Sequence, residues 1–294
     1  MSELASLTTA WYDANARDLP WRAPDVGAWP VLISEFMLQQ TPVVRVLPVW
    51  REWVARWPSP ADLAAEDSGE AIRAWGRLGY PRRAMRLHAC AVALVDRHGG
   101  QVPRRLDQML ALPGVGDYTA RAVLAFAYGQ RHPVVDTNVR RVAARAVTGA
   151  PDAGAATTPA DLTLVESLLP ATDQEAARAS AAFMELGAVL CTARAPRCTA
   201  CPVRTHCAWH RSGGVLPAGP SRKPQRYAGT DRQVRGLLLA VLRHAPGPVA
   251  KPALDVVWAD AAQRERALAS LLADGLVVPR GERFGLPGRS PADL

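Results

Sequence analysis

The sequence lacks the features that mark a membrane protein or a secreted protein. No part of its 294 residues approaches the unbroken apolar run that a membrane span needs. The first residues, MSELASLTTAWYD, contain no cationic region followed by an apolar core, so they do not resemble a secretory signal. Hydrophobic residues make up 49% and charged residues 21% of the chain, as in an ordinary globular protein. These observations predict a soluble, cytoplasmic protein.

Acidic residues are outnumbered by basic ones. The 35 lysines and arginines exceed the 27 acidic residues, which leaves a net charge of +8 at pH 7. This balance suits a polyanionic partner, because basic side chains that contact phosphates release counterions from nucleic acid. Many basic proteins bind no nucleic acid, so a merely soluble surface stays open on this observation alone.

The first 212 residues have apolar side chains at helical spacing, and no stretch among them alternates with the period of a strand. One helix is expected before the break at Pro20 and a second from Pro30 to Gln40. Thr41 can then cap a third helix, with Pro42 in its first turn. Further helices are predicted at about 68–76, 82–97, 104–111, 117–128, 137–147, 160–169 and 174–190. This part of the chain is predicted to be all-α.

The remaining residues divide into a linker and a small unit. Residues 213–229 are rich in Gly, Pro, Ser and basic side chains, a composition typical of linkers. Between 230 and 294, three short helical patterns precede a hairpin that turns near Gly281. Three helices and a hairpin resemble a winged-helix module. Its third helix carries Arg264 and Arg266, which either dock DNA or belong to a unit that packs on the body.

Cysteine is scarce, yet four of the five cysteines lie within seventeen positions. The clustered ones are Cys191, Cys198, Cys201 and Cys207, with the spacing C-x6-C-x2-C-x5-C. A reducing compartment keeps thiols free, so such a cluster indicates a metal more often than disulfides. Four thiolates can hold either tetrahedral zinc or an iron–sulfur cluster, and spacing chemistry alone does not decide between them. Cys90 stands alone in a predicted helix and is expected to be a buried structural thiol.

A glycine-rich turn and an acidic residue are the next candidate features. Gly114 and Gly116 permit a tight turn, and the helix that begins near Asp117 can face a phosphate with its free N–H groups. Asp136 precedes another predicted helix, where an isolated aspartate is usually an N-cap. Neither feature is specific by itself.

Taken together, four segments resemble the adenine DNA glycosylase (MutY) family of helix–hairpin–helix base-excision enzymes. They are SEFMLQQT at 34–41, LPGVGDYTA at 112–120, VVDTNVRR at 134–141 and the cysteine spacing. The likeness runs from about residue 8 to residue 210. It implies a monomer that binds double-stranded DNA containing adenine mispairs and excises adenine opposite 8-oxoguanine or guanine. It also implies a 4Fe–4S cluster as the cofactor on the four cysteines.

The resemblance implies a mainly α fold of two helical domains with the active site in the cleft between them. Residues 29–134 would form a six-helix bundle that carries the helix–hairpin–helix. Residues 1–28 and 135–212 would form the iron–sulfur cluster domain. The linker at 213–229 and the winged-helix-like unit at 230–294 would complete the chain.

Three residues are catalytic by this resemblance. Glu35 lies in an apolar helix, where desolvation raises the pKa of a carboxyl, so it suits a general acid that protonates adenine as it leaves. Asp136 would stabilise the oxocarbenium-like sugar. Tyr118 stands where strand-cleaving relatives have a lysine that forms a Schiff base, which tyrosine cannot do. A monofunctional glycosylase is therefore expected.

Other residues would open the duplex and hold the base. Gln40 and Tyr80 would wedge into the stack when the target nucleotide is flipped out. Trp21, Arg22 and Leu38 would line the adenine pocket. The other positions assigned to DNA or substrate are Thr41, Gly114, Gly116, Asn138, Arg194 and Arg197. The arginines that follow Tyr80 on one helix, predicted either to grip phosphates or to form a solvated charged face, are Arg82, Arg83 and Arg86.

Two departures from the family pattern leave alternatives open. Ala181 aligns where relatives place a Glu or Gln that reads the amino edge of adenine. The residues after the linker are too few and too helical for the β-rich, Nudix-like domain with which familiar members sense 8-oxoguanine. Excision of thymine or uracil opposite guanine is the enzymatic alternative. A non-catalytic, redox-responsive DNA-binding protein is the alternative from another class, and the pair Glu35 and Asp136 argues against it.

Overall fold

The computed structural model describes residues 3–154, 156–216 and 227–288, and it is mainly helical, as predicted. The helices before the linker are α1 (Glu3–Asn15), α2 (Ala28–Leu38), α3 (Val43–Arg56), α4 (Pro60–Ala65), α5 (Ser68–Trp75), α6 (Arg82–His98), α7 (Leu106–Leu110), α8 (Asp117–Tyr128), α9 (Thr137–Ala143), α10 (Pro159–Leu168), α11 (Asp173–Val189) and α12 (Ala208–Arg211). A π-helical turn, Ala144–Thr148, continues α9, and 3₁₀ turns lie at Pro20–Arg22, Cys198–Ala200 and Arg204–His206. None of the described helices is long and apolar enough to cross a membrane.

The start of α3 differs from the prediction. Pro42, in an extended conformation, is the N-cap, and no side chain caps the helix. Thr41 lies one residue before this cap, and its hydroxyl accepts a hydrogen bond from Arg83 Nη2 at 2.9 Å. Helix α4 was not predicted, and a capping box at Ser59 fixes its start.

The described residues belong to two compact units. The first contains 3–35, 103–111 and 115–216 without 155. Its core lies between α1, α9, α10 and α11, and the apolar side chains that fill it include Ala5, Val139, Val165, Phe183 and Leu186. This unit carries the clustered cysteines and all three predicted catalytic residues.

The second unit contains 36–102, 112–114 and 227–288. Trp53 anchors its core, with edge-to-face contacts to Trp57 at 4.7 Å and to Trp75 at 5.4 Å between ring centroids. Such aromatic pairs add to the stabilisation that burial alone provides. The four-part division predicted above is finer than these two units and stays a prediction. Residues 217–226 of the predicted linker lie outside the described residues.

The C-terminal residues have the predicted order of helices and hairpin. They form α13 (Asp231–His244), β1 (Val249–Ala250), α14 (Lys251–Asp255), α15 (Ala261–Ala273), β2 (Val278–Arg280) and β3 (Arg283–Gly285). The strands pair antiparallel in the order β1-β3-β2, and β1 was not predicted because it is only two residues long.

These C-terminal elements pack on α5. Arg243 Nε donates to the Ile72 carbonyl at 3.0 Å, and Arg73 Nη1 donates to the Ala245 carbonyl at 3.0 Å. The two arginines considered for DNA docking make contacts inside the C-terminal elements. Arg264 Nη1 donates to a backbone carbonyl, and Arg266 lies 3.5 Å from an aspartate. These contacts favour packing on the body over docking of DNA through α15.

Candidate active site

Glu35 lies on α2, a helix that is apolar on all sides and therefore buried. Its side chain is 5% exposed and shares a hydrogen bond with Tyr118. Burial raises the pKa of Glu35 to about 7; Asp136 also raises it, while Tyr118 and Arg22 lower it. The predicted rise of this pKa is confirmed. Near neutral pH the carboxyl therefore holds a proton that it can donate.

Asp136 lies at the N-cap of α9, on the same unit as Glu35. Its Oδ1 accepts from the backbone N–H groups of Asn138 at 2.9 Å and Val139 at 2.7 Å, and its Oδ2 accepts from Asn138 Nδ2 at 2.7 Å. Burial raises the pKa of Asp136, while these hydrogen bonds act in the opposite direction. Asp136 is thus a helix cap and also close enough to Glu35 to affect its pKa. The geometry brings the two carboxyls together, and neither role excludes the other.

Tyr118 lies in the first turn of α8 and joins this group. Burial, followed by the nearby carboxylates of Glu35 and Asp136, raises the pKa of Tyr118 well above its usual value. The phenol therefore stays neutral and available for hydrogen bonding to Glu35. The turn before α8 needs only one of its two glycines. Gly114 has φ 77° and a Cβ there would lie 2.8 Å from Arg86 Cβ, whereas Gly116 has an ordinary φ of −95°.

Arg22 is held near Glu35 by a residue that the sequence prediction missed. Glu185 on α11 is fully buried and accepts from Arg17 Nε at 2.6 Å and from Arg22 Nη2 at 2.8 Å. Burial acts to raise the pKa of Glu185, but these hydrogen bonds outweigh it and hold the pKa at about 2. Arg22 Nη1 is buried and has no hydrogen-bond partner among the described residues. An acidic residue in the otherwise apolar stretch before Gly187 was the sequence signal for Glu185.

The two other predicted pocket residues lie on separate elements. Trp21 is buried in the 3₁₀ turn Pro20–Arg22, and Leu38 is the half-buried last residue of α2. Ala181 is half-buried on α11, four residues before Glu185.

Asn138 connects Asp136 to the cysteine segment through a second residue that the prediction missed. Arg141 Nη2 donates to Asn138 Oδ1 at 2.8 Å, and Arg141 Nε donates to the Cys191 carbonyl at 2.6 Å. Helices α9 and α11 come close at Gly187, where a Cβ would lie 2.7 Å from Asn138 Cβ. The absence of a side chain at Gly187 therefore leaves the room that Asn138 occupies.

The clustered cysteines line one cavity, together with Arg145, Arg204 and Trp209. Arg145 is almost fully buried, and its Nη1 lies 3.5 Å from Cys191 Sγ. Within the described ranges, no group of three or more His, Cys, Asp or Glu side chains is arranged to hold a single metal ion. Cys90 is fully buried on α6, as predicted.

The predicted wedge residues lie on two loops of the second unit. Gln40 is exposed and Tyr80 is 53% exposed. Thr41 is buried and contacts Arg83. Both predictions made for Arg83, a phosphate contact and a solvated face, are wrong, because its side chain is 6% exposed.

The remaining arginines of interest are on the surface. Arg82 and Arg86 are exposed one turn apart on α6. Arg194 and Arg197 are exposed in the cysteine loop, where Arg197 Nη2 donates to the Val189 carbonyl at 2.8 Å. Phosphate binding by the arginines that remain exposed stays a prediction.

The pKa of Glu35 predicts a loss of stability as the pH rises. The folded carboxyl, with a pKa of about 7, keeps its proton at pH values where the unfolded one, with a pKa near 4.5, has lost it. The stability this contributes is complete below about 4.5 and is lost as the pH rises towards 7. We expect Glu35→Gln to raise the free energy of unfolding at pH 8 by at most about 3 kcal/mol, and by much less at pH 4. Urea unfolding measures both values.

Glu52→Gln, an exposed glutamate on α3, is the matched control for this measurement. A stability difference between wild type and Glu35→Gln that is the same at pH 4 and pH 8 would show that the carboxyl does not titrate in this window.

Comparison with known proteins gives the family. Residues 33–166 match the HhH-GPD superfamily base excision DNA repair protein model. Adenine DNA glycosylases from Mycolicibacterium smegmatis and Mycobacterium tuberculosis are 58% and 56% identical, over 95% of this chain and 94% and 92% of theirs. The rat adenine DNA glycosylase is 37% identical over 74% of this chain, which spans 46% of that protein.

Solved structures share the fold. A thermostable thymine-DNA glycosylase has a TM-score of 0.64 at 27% identity, over 71% of this chain and 95% of that chain. An endonuclease III in a DNA complex has a TM-score of 0.60 at 23% identity, over 71% and 94%, and shows the fold alone. The match with the mycobacterial proteins, unlike these, leaves out only 5% of the chain and so includes most of the C-terminal elements. By its identity to the two mycobacterial relatives, the chain belongs to the adenine DNA glycosylase family of helix–hairpin–helix base-excision repair proteins.

Proposed function

We propose that the protein binds double-stranded DNA as a monomer and excises adenine mispaired with 8-oxoguanine or guanine. It would hydrolyse the N-glycosidic bond without cutting the strand. One observation carries this proposal: Glu35 is a buried carboxyl with a pKa near 7, in contact with Tyr118 and close to Asp136. A protein that only binds DNA has no need of a proton donor next to a second carboxylate.

The reaction uses the two carboxyls for different tasks. When the N-glycosidic bond breaks, its electron pair leaves with the base, and the proton of Glu35 neutralises the departing adenine. The sugar becomes oxocarbenium-like, and the Asp136 carboxylate stabilises its positive charge. Water then adds to the sugar carbon and gives a proton back to the Glu35 carboxylate, which leaves an abasic site and restores the acid. Burial raises the pKa of both carboxyls, but Asp136 also accepts hydrogen bonds from Asn138 and Val139 that favour its charged form.

Tyr118 keeps the chemistry monofunctional. Its neutral phenol can hold the Glu35 carboxyl by a hydrogen bond but cannot form the imine that a lysine forms with the sugar. We therefore infer that strand breaks appear only after the abasic product is treated with alkali.

The flipped base would be bound beside Arg22. Its unpartnered Nη1 is a buried donor, and such groups are costly unless a ligand or water satisfies them. A ring nitrogen of adenine is a suitable acceptor. Trp21 and Leu38 would supply apolar walls for the base. Gln40 and Tyr80 would occupy the space that the flipped nucleotide leaves in the base stack of the DNA. Because Ala181 has no hydrogen-bonding side chain, the amino edge of adenine would need another partner.

We also propose that Cys191, Cys198, Cys201 and Cys207 hold a 4Fe–4S cluster. Their common cavity and the nearby Arg145 guanidinium suit an anionic, thiolate-bound group. Four thiolates are the donor set by which proteins hold such a cluster, and these cysteines would supply it. When bound, the cluster would tie the loop 191–207 together. A cytoplasmic location would keep these four thiols reduced and therefore able to bind the cluster. Iron and acid-labile sulfide in the purified protein test this assignment.

Excision of thymine or uracil opposite guanine is the second candidate. The TM-score of 0.64 to a thymine-DNA glycosylase and the small side chain at Ala181 favour it. The protonated Glu35 favours adenine, whose ring nitrogens accept a proton more readily than those of the pyrimidines.

Incubation with duplexes that hold one adenine opposite 8-oxoguanine, guanine or thymine tests the proposal. Parallel duplexes hold thymine or uracil opposite guanine. We expect adenine release that is fastest opposite 8-oxoguanine, with strand breaks only after alkali. Release of the pyrimidines without release of adenine would select the second candidate, and release of neither would favour a non-catalytic DNA-binding protein.

A further inference from the structure

Two surface residues have a backbone conformation that their side chains disfavour. In the described part of the chain, the non-glycine residues with positive φ are Gln40 at 55° and Tyr80 at 48°. Strained residues of this kind persist where the surrounding structure holds them, and they are frequent at functional sites. Gln40 follows the end of α2, and Tyr80 precedes α6. The two loops are forty positions apart in sequence, so only a tertiary contact can hold them together.

Arg83 is the side chain that contacts both loops. Its Nη1 donates to the carbonyls of Phe36 at 2.9 Å, Met37 at 3.0 Å and Gln39 at 2.6 Å. The Phe36 and Met37 carbonyls are among the last of α2, which have no partner within the helix. The cation at this end also complements the helix dipole. Arg83 therefore fixes the turn from which Gln40 extends.

The same guanidinium reaches the second loop. Its Nη2 donates to the Gly79 carbonyl at 3.1 Å and to Thr41 Oγ1 at 2.9 Å. Trp75 Nε1 also donates to the Gly79 carbonyl, at 3.0 Å, and the guanidinium lies 5.5 Å from the ring of Tyr80. One planar group thus bridges the residues next to Gln40 and Tyr80.

The acceptors of Arg83 are neutral. They are four backbone carbonyls and one hydroxyl, and the side chain is 6% exposed, so it cannot reach a phosphate. Burial lowers the pKa of Arg83 to about 10. A buried cation with no carboxylate among these acceptors is costly. The hydrogen bonds of Arg83 connect the loop around Gln40 to the loop around Gly79, and we call this set of contacts the clamp.

We propose that Arg83 is a positioning residue that holds Gln40 and Tyr80 together, ready to enter the base stack of DNA. This inference rests on the proposed function, because insertion matters only if the target nucleotide is flipped out. Preorganised side chains enter the duplex without first losing conformational entropy. A lysine can donate to some of the carbonyls but cannot bridge both loops with one planar group.

The test compares Arg83→Lys and Arg83→Met with wild type on two substrates. One is a duplex with adenine opposite 8-oxoguanine. In the other the adenine lies opposite an abasic site, where there is no opposing base to displace. With enzyme in excess of DNA but below the concentration that saturates binding, we expect single-turnover excision from the mispair to fall on the order of 100-fold for Met and less for Lys, as misplaced groups typically cause. At saturating enzyme, excision opposite the abasic site should stay within about twofold of wild type, because the two carboxyls are untouched.

Arg243→Lys is the matched control, a half-buried arginine of the same unit that donates to the Ile72 carbonyl. Equal losses on both substrates, or losses no larger than those of Arg243→Lys, would overturn the inference. Amide hydrogen exchange of the free protein separates it from the proposed function. Faster exchange at 39–41 and 78–80 in the Arg83 variants alone supports the clamp even if wild type releases no adenine, and unchanged exchange there refutes it.

Discussion

Glu35→Gln lowers single-turnover release of adenine by on the order of 10³-fold or more, because the amide has no proton to give to the leaving base. Binding of the mispair should stay close to wild type, since glutamine has the same shape and can still accept the hydrogen bond of Tyr118. The loss therefore belongs to the chemical step. Quenched-flow release of adenine and a binding titration on the same duplex measure the two quantities separately.

The pH dependence adds a second measurement on the same variant. Protonated Glu35 is the active form and its pKa lies near 7, so the wild-type single-turnover rate should fall as the pH rises above 7. Three groups facing Glu35 also affect this titration: Tyr118, Asp136 and Arg22. Glu35→Gln should lack this limb of the profile, and Glu52→Gln should keep it. Full excision by Glu35→Gln under single-turnover conditions would remove Glu35 from the mechanism.

Asp136→Asn is expected to reduce adenine release by about 10²- to 10³-fold, the usual effect of removing one electrostatic contact with the transition state. Asparagine is as good an N-cap as aspartate, so helix α9 should keep its start and the free energy of unfolding should change little. The variant thus removes the charge and keeps the cap. Excision rates and urea unfolding of the same preparation measure both effects.

Asp260→Asn is the matched control for this substitution. Asp260 caps α15 by accepting from the Gln263 N–H at 3.0 Å, far along the chain from the carboxyl pair. It should leave excision unchanged. Asp136→Ala should lose both charge and cap, with an extra loss of stability of about 1 kcal/mol. If Asp136→Asn cleaves at the wild-type rate while Asp136→Ala only unfolds more easily, Asp136 is a cap and nothing more.

Arg83 illustrates why a local pattern was insufficient. The three arginines after Tyr80 were predicted together, either to bind DNA phosphates or to form a solvated charged face. Arg82 and Arg86 are four positions apart and share the exposed face of α6, whereas Arg83 is turned about 100° from Arg82 and faces inward. Its acceptors lie on the loops around Gln40 and Gly79, and no pattern within α6 contains them.

The same holds for Thr41 and Asp136. A threonine before a proline resembles an N-cap, but the hydroxyl of Thr41 caps no helix and accepts a hydrogen bond from Arg83 instead. For Asp136, sequence reasoning set the N-cap against a catalytic role, yet the carboxylate caps α9 and affects Glu35 at once. Local rules identify which groups a residue can bind, and the three-dimensional neighbours decide which of them it does bind.

By itself, the sequence determined most helices of the first 212 residues, the order of the C-terminal helices and hairpin, and the family, because hydrophobic periods and motif spacings are properties of neighbouring residues. It also named the carboxyl pair and the four clustered cysteines. Only the tertiary structure decided the pKa of Glu35, the ion pairs of Glu185 and the burial of Arg83. Those depend on partners far along the chain, such as Arg17 and Glu185 at 168 positions apart, which come together only when the helices pack.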